Sequence, residues 1–189
     1  MLNTLVKENN KHNISIENLL NDVYLLPKWE MIKSFSLTEK RFFFRKKLVN
    51  VDLYRKFSSK NQLEKYSIRT EDEKVLANMD LKIYKDSVYI INLDIESQTN
   101  FEQLTEKLLQ VAVEKALYNT TEKEVVINLT AGLIVKNRIR KVLLNNEFAT
   151  EENQSSYEKE MFGETYTARV TGDSSWIKTI KQMPILINK

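Results

Sequence analysis

Between Tyr66 and Ser97 the chain carries three β-rich runs separated by two short polar pivots, TEDEK and YKDS, and nothing else in the sequence restricts the fold as much. Runs of β-branched and aromatic residues bounded by turn formers read as strands, and pivots this short join only antiparallel neighbours. The spacing predicts strands near 65–70, 74–84 and 87–96. The third, Val88-Tyr89-Ile90-Ile91-Asn92-Leu93, is apolar on both faces, as a central strand of a covered sheet must be.

Helical periods follow. Thr99 with Glu102 three residues later has the form of a capping box, and Phe101, Leu104, Leu108, Val111 and Lys115 trace one face of a helix over about 100–118. EVVINLT (124–130) reads as a short strand, and a second amphipathic helix runs through Ile134, Ile139, Val142 and Leu143 over 133–146. A hairpin with strands near 148–154 and 157–170 completes the sheet, ETYTARV being its clearest piece. A short amphipathic stretch with Trp176, Ile177 and Ile180 precedes Pro184 and Ile185-Leu186-Ile187. The order from Tyr66 is thus β-β-β-α-β-α-β-β, an antiparallel meander feeding a βαβ unit, and the fold class is α/β with a mixed sheet.

Upstream, residues 14–26 place Ile16, Leu19, Leu20 and Val23 at helical spacing, with Ser15 as N-cap and Pro27 just beyond. Residues 37–60 are expected to form one or two further helices, Thr38 capping the first and Phe42, Phe43, Leu48 and Val51 supplying apolar faces. With 3 Gly, 2 Pro, no repeat and no Gly/Ser/Pro-rich linker, one domain over 1–189 is expected. Its parts are a mainly helical region 1–64, a core 65–170 and a tail 171–189.

Composition removes several function classes. The chain has no cysteine, which excludes disulfides, thiolate metal sites and cysteine nucleophiles. His12 is the sole histidine, so a Ser-His-Asp triad or a histidine metal centre has little to build on. Acidic groups such as Glu71-Asp72-Glu73 and Glu151-Glu152 read as solvated turns without metal-ligand spacing, and no metal is expected. No apolar run is long enough to span a bilayer, and MLNTLVKENNKHN lacks the apolar centre of a signal peptide, so a cytoplasmic protein without a membrane partner is expected.

The segment Tyr66–Leu109 resembles, without a gap, the coenzyme-binding core of the GNAT superfamily of N-acetyltransferases. The likeness rests on Tyr89-Ile90-Ile91-Asn92-Leu93-Asp94-Ile95 for a strand that ends at a splayed edge, and on Leu108-Leu109 for a Leu-Leu pair in the following helix. Glu96-Ser97 stands where an Asp-Pro pair is common. Arg138–Phe148 (RIRKVLLNNEF) is similar to the second helix and its closing Gly-Phe, and the likeness extends over about 66–170.

The resemblance implies an acyl-CoA site. Leu93, Asp94 and Ile95 would pair through their main chain with the pantetheine arm of acetyl-CoA. Asn100, Phe101, Glu102, Gln103, Leu104 and Thr105 would stand where a glycine-bearing loop binds the pyrophosphate, and Asn137 would complete the set from the second helix. That loop has no glycine here, and none occurs before Gly132. Glycine lets backbone amides come close to a phosphate at a helix N-terminus, whereas Glu102 and Glu106 add like charge beside it. Glu102 would also reach back to the cap and leave the anion site occupied. Where many members carry a Glu as general base this chain has Ile91, and where many carry a Tyr that protonates the departing thiolate it has Leu143; neither alkyl chain moves a proton. Asp94, Tyr89 and Tyr157 remain as candidates for catalysis, although Tyr89 also reads as a sheet-packing aromatic and Asp94 as a strand-end turn former.

Charge is uneven. Residues 1–69 hold 14 Lys/Arg against 7 Asp/Glu, and residues 70–189 hold 15 against 19. KRFFFRKKLVNVDLYRKFSSK (40–60) interleaves basic and aromatic residues, a pattern that can grip phosphates and stack bases. Its plainer reading is an amphipathic helix pair with aromatics inside and Lys/Arg outside, flanking the acceptor site of a transferase, and a nucleic-acid partner is not expected. Three functions follow: a GNAT-fold protein that has lost catalysis and binds or regulates, an active N-acetyltransferase using acetyl-CoA, and a nucleic-acid binder. A homodimer and an unidentified acceptor or protein partner are left open.

Overall fold

The computed structural model describes residues 28–40, 46–58, 63–129, 133–151 and 154–186. The helix expected over 14–26 and the Phe42–Phe44 run lie outside them. Eight strands form one mixed sheet: β1 (Glu30–Lys40), β2 (Lys46–Ser58), β3 (Leu63–Thr70), β4 (Val75–Ile83), β5 (Ser87–Ile95), β6 (Glu124–Leu129), β7 (Ala149–Thr150) and β8 (Glu164–Arg169). Their spatial order is β1-β2-β3-β4-β5-β6-β8-β7. Every ladder is antiparallel except β5–β6, and a parallel neighbour needs a crossover, which the 19-residue helix α1 (Phe101–Asn119) supplies. Helices α2 (Leu133–Asn145), α3 (Ser156–Phe162) and α4 (Ser175–Gln182) complete the set.

The meander, the crossover helix and the strand after it lie within two residues of their expected places, because their apolar periods are long and uninterrupted. Side chains alternate across the sheet. Leu37, Leu53, Tyr66, Met79 and Leu81, none more than 1% exposed, share one face. Leu104, Leu108, Leu109 and Ala112 of α1 are buried in the same core. The opposite face carries polar pairs such as Ser34–Asp52 and Lys65–Asp80.

Three expectations are corrected. Residues 37–40 and 46–58 are strands, not helices. In VNVDLYRKF, Val51 and Leu53 face inward while Asn50, Asp52 and Tyr54 alternate outward, a period of two that pairing with β3 enforces over the competing helical period. The region 1–64 is therefore not mainly helical in its described part.

Second, residues 157–162 are not strand but α3. Ser155 and Glu158 form a reciprocal capping box at its start, and Gly163, at φ 80°, ends it. Third, Thr99 and Glu102 form no such box: the N-cap of α1 is Asn100, and no side chain caps that end.

With glycine so scarce, three non-glycine residues take the left-handed turn positions: Glu73, Lys123 and Glu147, at φ 62°, 53° and 66°. The last of them then caps α4, its carboxylate accepting from Ser174 Oγ and, at 2.7 Å, from the Ser175 N–H.

Candidate functional site

The ladder between β5 and β6 runs only from Ser87↔Glu124 to Ile90↔Ile127, whereas β5 continues to Ile95. The cause lies on the other side of β5. In the ladder with β4, Asp80 faces Asn92 and Leu81 faces Ile90, so Ile91 is an extra residue, a β-bulge that bends the strand. Beyond it the two parallel strands splay. The gap is a cleft of about 350 Å³ lined by Ile90, Ile91, Asn92, Leu93 and Asp94 of β5, Ile127, Asn128 and Leu129 of β6, and Val135 and Ile139 of α2. Main-chain groups of β5 past the bulge have no β6 partner and face this opening. An extended ligand can pair with such groups whatever the side chains are.

The expected site residues fall into two groups. Leu93 and Asp94 line the cleft, whereas Ile95 is buried opposite Ala77 and is not part of the lining. The second group stands at the start of α1, reached directly from the end of β5. Asn100 is 3% exposed, and its Oδ1 is buried without a hydrogen-bond partner among the described residues. Phe101 and Leu104 are in the core. Thr105 turns its hydroxyl back to the Phe101 carbonyl at 2.7 Å, and Glu102 is exposed. Asn137 is exposed on α2 and does not line the cleft.

Gln103 has a partner that the sequence does not announce. Its Nε2 donates to the Thr38 carbonyl at 2.8 Å, and its Oε1 accepts from the Thr38 N–H at 3.0 Å. These two bonds tie strand β1 to the first turn of α1, and neither uses an N–H of the helix itself. Arg138 is a second unforeseen neighbour. Its guanidinium lies 3.9 Å from the centre of the Phe101 ring and donates to the Gln98 side chain and, at 3.3 Å, to the Gln98 carbonyl, tying α2 to the β5–α1 turn. Both contacts join residues 40 or more apart in sequence, so no local pattern reveals them.

Proton-transfer groups are sparse at the cleft. Ile91 is 58% exposed there, and Leu143 is fully buried, so the second position does not reach the opening at all. Asp94 is the one ionisable residue among the described lining. Tyr89 packs edge-on against Tyr84 with ring centres 5.2 Å apart, and Tyr157 projects from α3 at 67% exposure; the cleft receives neither. Opposite the lining residue Ile127 on β8 stands Tyr166, fully buried in the core and not itself part of the lining. Its hydroxyl donates to Glu164 Oε2 at 2.7 Å, and burial together with that carboxylate pushes it up to about 12. Glu164 is held below the usual carboxylate range by that hydrogen bond and by Lys136, 3.5 Å away. In the sequence this pair stands out only as part of the strand ETYTARV.

No protein-family profile and no curated protein matches the sequence. Among solved structures, a protein assigned as an acyl-CoA N-acyltransferase from Klebsiella pneumoniae is 14% identical at a TM-score of 0.48, over 60% of this chain and 77% of that one. A GNAT-family acetyltransferase from Staphylococcus aureus is 8% identical at 0.45, over 59% and 70%. Nourseothricin acetyltransferase is 9% identical at 0.43, over 78% and 90%. Likeness at this level carries no inference about activity or ligand.

Proposed function

We propose that this chain is a binding protein built on a GNAT-like architecture, its cleft receiving the extended arm of an acyl thioester with acyl transfer weak or lost. The carrying observation is the splay past Ile90↔Ile127, which leaves β5 main-chain groups unpaired beside a lining that mixes branched alkyl side chains with Asn92, Asp94 and Asn128. The lining offers carbonyl and amide partners along one side and branched alkyl groups on the other, the surroundings an amide-bearing aliphatic chain needs. Its one carboxylate among the described residues is Asp94. Acyl transfer to an amine needs the ammonium proton removed and the thiolate protonated, and Ile91 and Leu143 do neither. A cytoplasmic setting suits a cysteine-free chain with this role.

The test is thiol release from acetyl-CoA and acetyl-pantetheine in the presence of a panel of primary amines, with binding followed in parallel by calorimetry. The wild type is expected to bind without release above the buffer rate. Ile91→Glu, which places a carboxylate on the cleft wall, is expected to raise release at least about tenfold. Wild-type turnover at about 1 s⁻¹ or faster would overturn the reading. In that event Asp94→Asn becomes decisive, because Asp94 is the one ionisable residue among the described lining.

A further inference from the structure

Two ammonium groups meet the turn that follows α4. Gln110 of α1 donates through Nε2 to the Met183 carbonyl at 2.8 Å, and Lys33 of β1 donates to the adjoining Pro184 carbonyl. Gln110 Oε1 accepts from Lys107 Nζ at 3.5 Å, and that Nζ lies 5.9 Å from the centre of the Phe35 ring on β1. Lys33 and Lys107 thus share one partly buried seam between β1, α1 and the tail, and the acceptors they reach there are neutral. Neither meets a carboxylate at ion-pair distance among the described residues, whereas the partly buried Lys65, Lys115 and Lys136 each do. Glu114, one turn beyond Gln110, spends its oxygens on the Ile185 and Leu186 N–H groups and on Gln110 itself.

The two lysines are not equivalent. Lys33 is fixed on a main-chain carbonyl, while Lys107 has one long bond to a carboxamide that is itself held elsewhere. An amine desolvated beside a second cation gives up its proton more readily, and the lone pair so freed is a nucleophile. Burial does most to draw the Lys107 ammonium below the ordinary lysine value; Lys33 draws it the same way, against Glu106 and Glu114. We propose that Lys107 is a modification site acylated by small acyl phosphates, with Lys33 supplying the second positive charge. The Lys107 Nζ lone pair adds to the acyl carbon and an amide C–N bond forms. The C–O bond to phosphate breaks, phosphate leaves with that electron pair, and the nitrogen gives its proton to water. A fixed ammonium favours a donor and a leaving group that are both anionic. Acylation also removes a charge that the seam holds without a counter-ion. None of these residues lines the cleft, so Lys107 reacts whatever the cleft binds.

The full chain is incubated near neutral pH with acetyl phosphate and, separately, with acetyl-CoA, and acetylation of each lysine is followed by peptide mass mapping. With acetyl phosphate, Lys107 is expected to react at least about threefold faster than the exposed Lys85 and Lys141, because more of its amine is free. Its rate should level off at a lower pH than theirs, which a difference in accessibility alone would not produce. Lys33→Met keeps an unbranched stem without the charge, and should slow Lys107 about threefold while Lys85 and Lys141 keep their rates. Acetylation of Lys107 no faster than that of Lys85 and Lys141 in the wild type overturns the proposal, and so does an unchanged Lys107 rate in Lys33→Met. If acetyl-CoA favours Lys107 over Lys85 more than acetyl phosphate does, the donor is a thioester and the assignment to acyl phosphates falls.

Discussion

Glu114 lies wholly inside the protein on α1, yet both of its oxygens are taken by backbone far along the chain. Oε1 accepts from the Ile185 N–H at 2.7 Å and from Gln110 Nε2 at 2.9 Å, and Oε2 accepts from the Leu186 N–H at 2.6 Å. Gln110 adds a bond to the Met183 carbonyl at 2.8 Å, and the Lys33 ammonium reaches the Pro184 carbonyl. One buried carboxylate thus anchors the segment after α4 across the crossover helix. Glu114→Ala should lower stability by roughly 2–4 kcal/mol, because charge-assisted bonds are lost and two main-chain donors are left without partners. Denaturant midpoints would measure the loss, and exchange of the Ile185 and Leu186 amides should quicken first; unchanged exchange there would refute the anchoring role. Sequence reading cannot find this contact. Glu114 sits in an ordinary amphipathic helix, and a carboxylate at such a place reads as solvent-facing until the tail is packed over it.

Elements differ in how much of their structure is local. In α3 everything needed lies between Ser155 and Gly163: Ser155 Oγ accepts from the Glu158 N–H at 3.2 Å, Glu158 accepts from the Ser155 N–H at 2.8 Å, and Gly163 stops the helix. The sequence carries the signature Ser-x-x-Glu at Ser155, but the β-type run ETYTARV just beyond it reads as one strand with 157–162. Ser155→Ala should cost about 0.5–2 kcal/mol locally, seen as faster amide exchange over 156–162 with β8 unaffected. Equal exchange in both proteins would mean that packing on β8, not the cap, holds the helix. β1 and β2 are the opposite case. Their alternation was legible in SFSLT and VNVDL, but Lys/Arg and Phe also recur at near-helical spacing through 40–57, and only the pairing partners decide between the two periods. The Thr99–Glu102 pattern failed for a related reason. The β5–α1 turn is fixed by Leu76 accepting from the Glu96 and Ser97 N–H groups, and this sets Asn100 as the cap whatever the local motif prefers.

Across the whole molecule, a charged cluster ties the meander to α1. Tyr66 is fully buried and donates to Glu64, which Lys115 meets at 2.9 Å from above. Burial and the neighbouring Glu64 charge hold the Tyr66 phenol well above its ordinary value of 10.0. A group whose folded-state value is raised contributes stability that is complete below the unfolded value and is lost as pH rises beyond it. Stability should therefore be level from about pH 8 up to the ordinary tyrosine value, and should decline above about pH 10. Tyr66→Phe should flatten that decline and cost about 1–3 kcal/mol at neutral pH, because Glu64 loses a buried donor. Denaturation midpoints against pH decide it, and an equally steep alkaline decline in the variant would show that Tyr66 is not its source. The sequence by itself determined the meander, the crossover helix and the succession of strands after it, since runs of apolar residues at period two or 3.6 can bury themselves in only one way each. It also determined that neither Ile91 nor Leu143 can move a proton. Tertiary structure alone decided where β5 and β6 part, that Gln103 clasps Thr38 at the head of α1, and that Glu114 holds the tail. Each of these depends on groups distant in the chain meeting within hydrogen-bonding range, and such bonds are set by the closing of the sheet and the packing of α1 on it, not by any local preference.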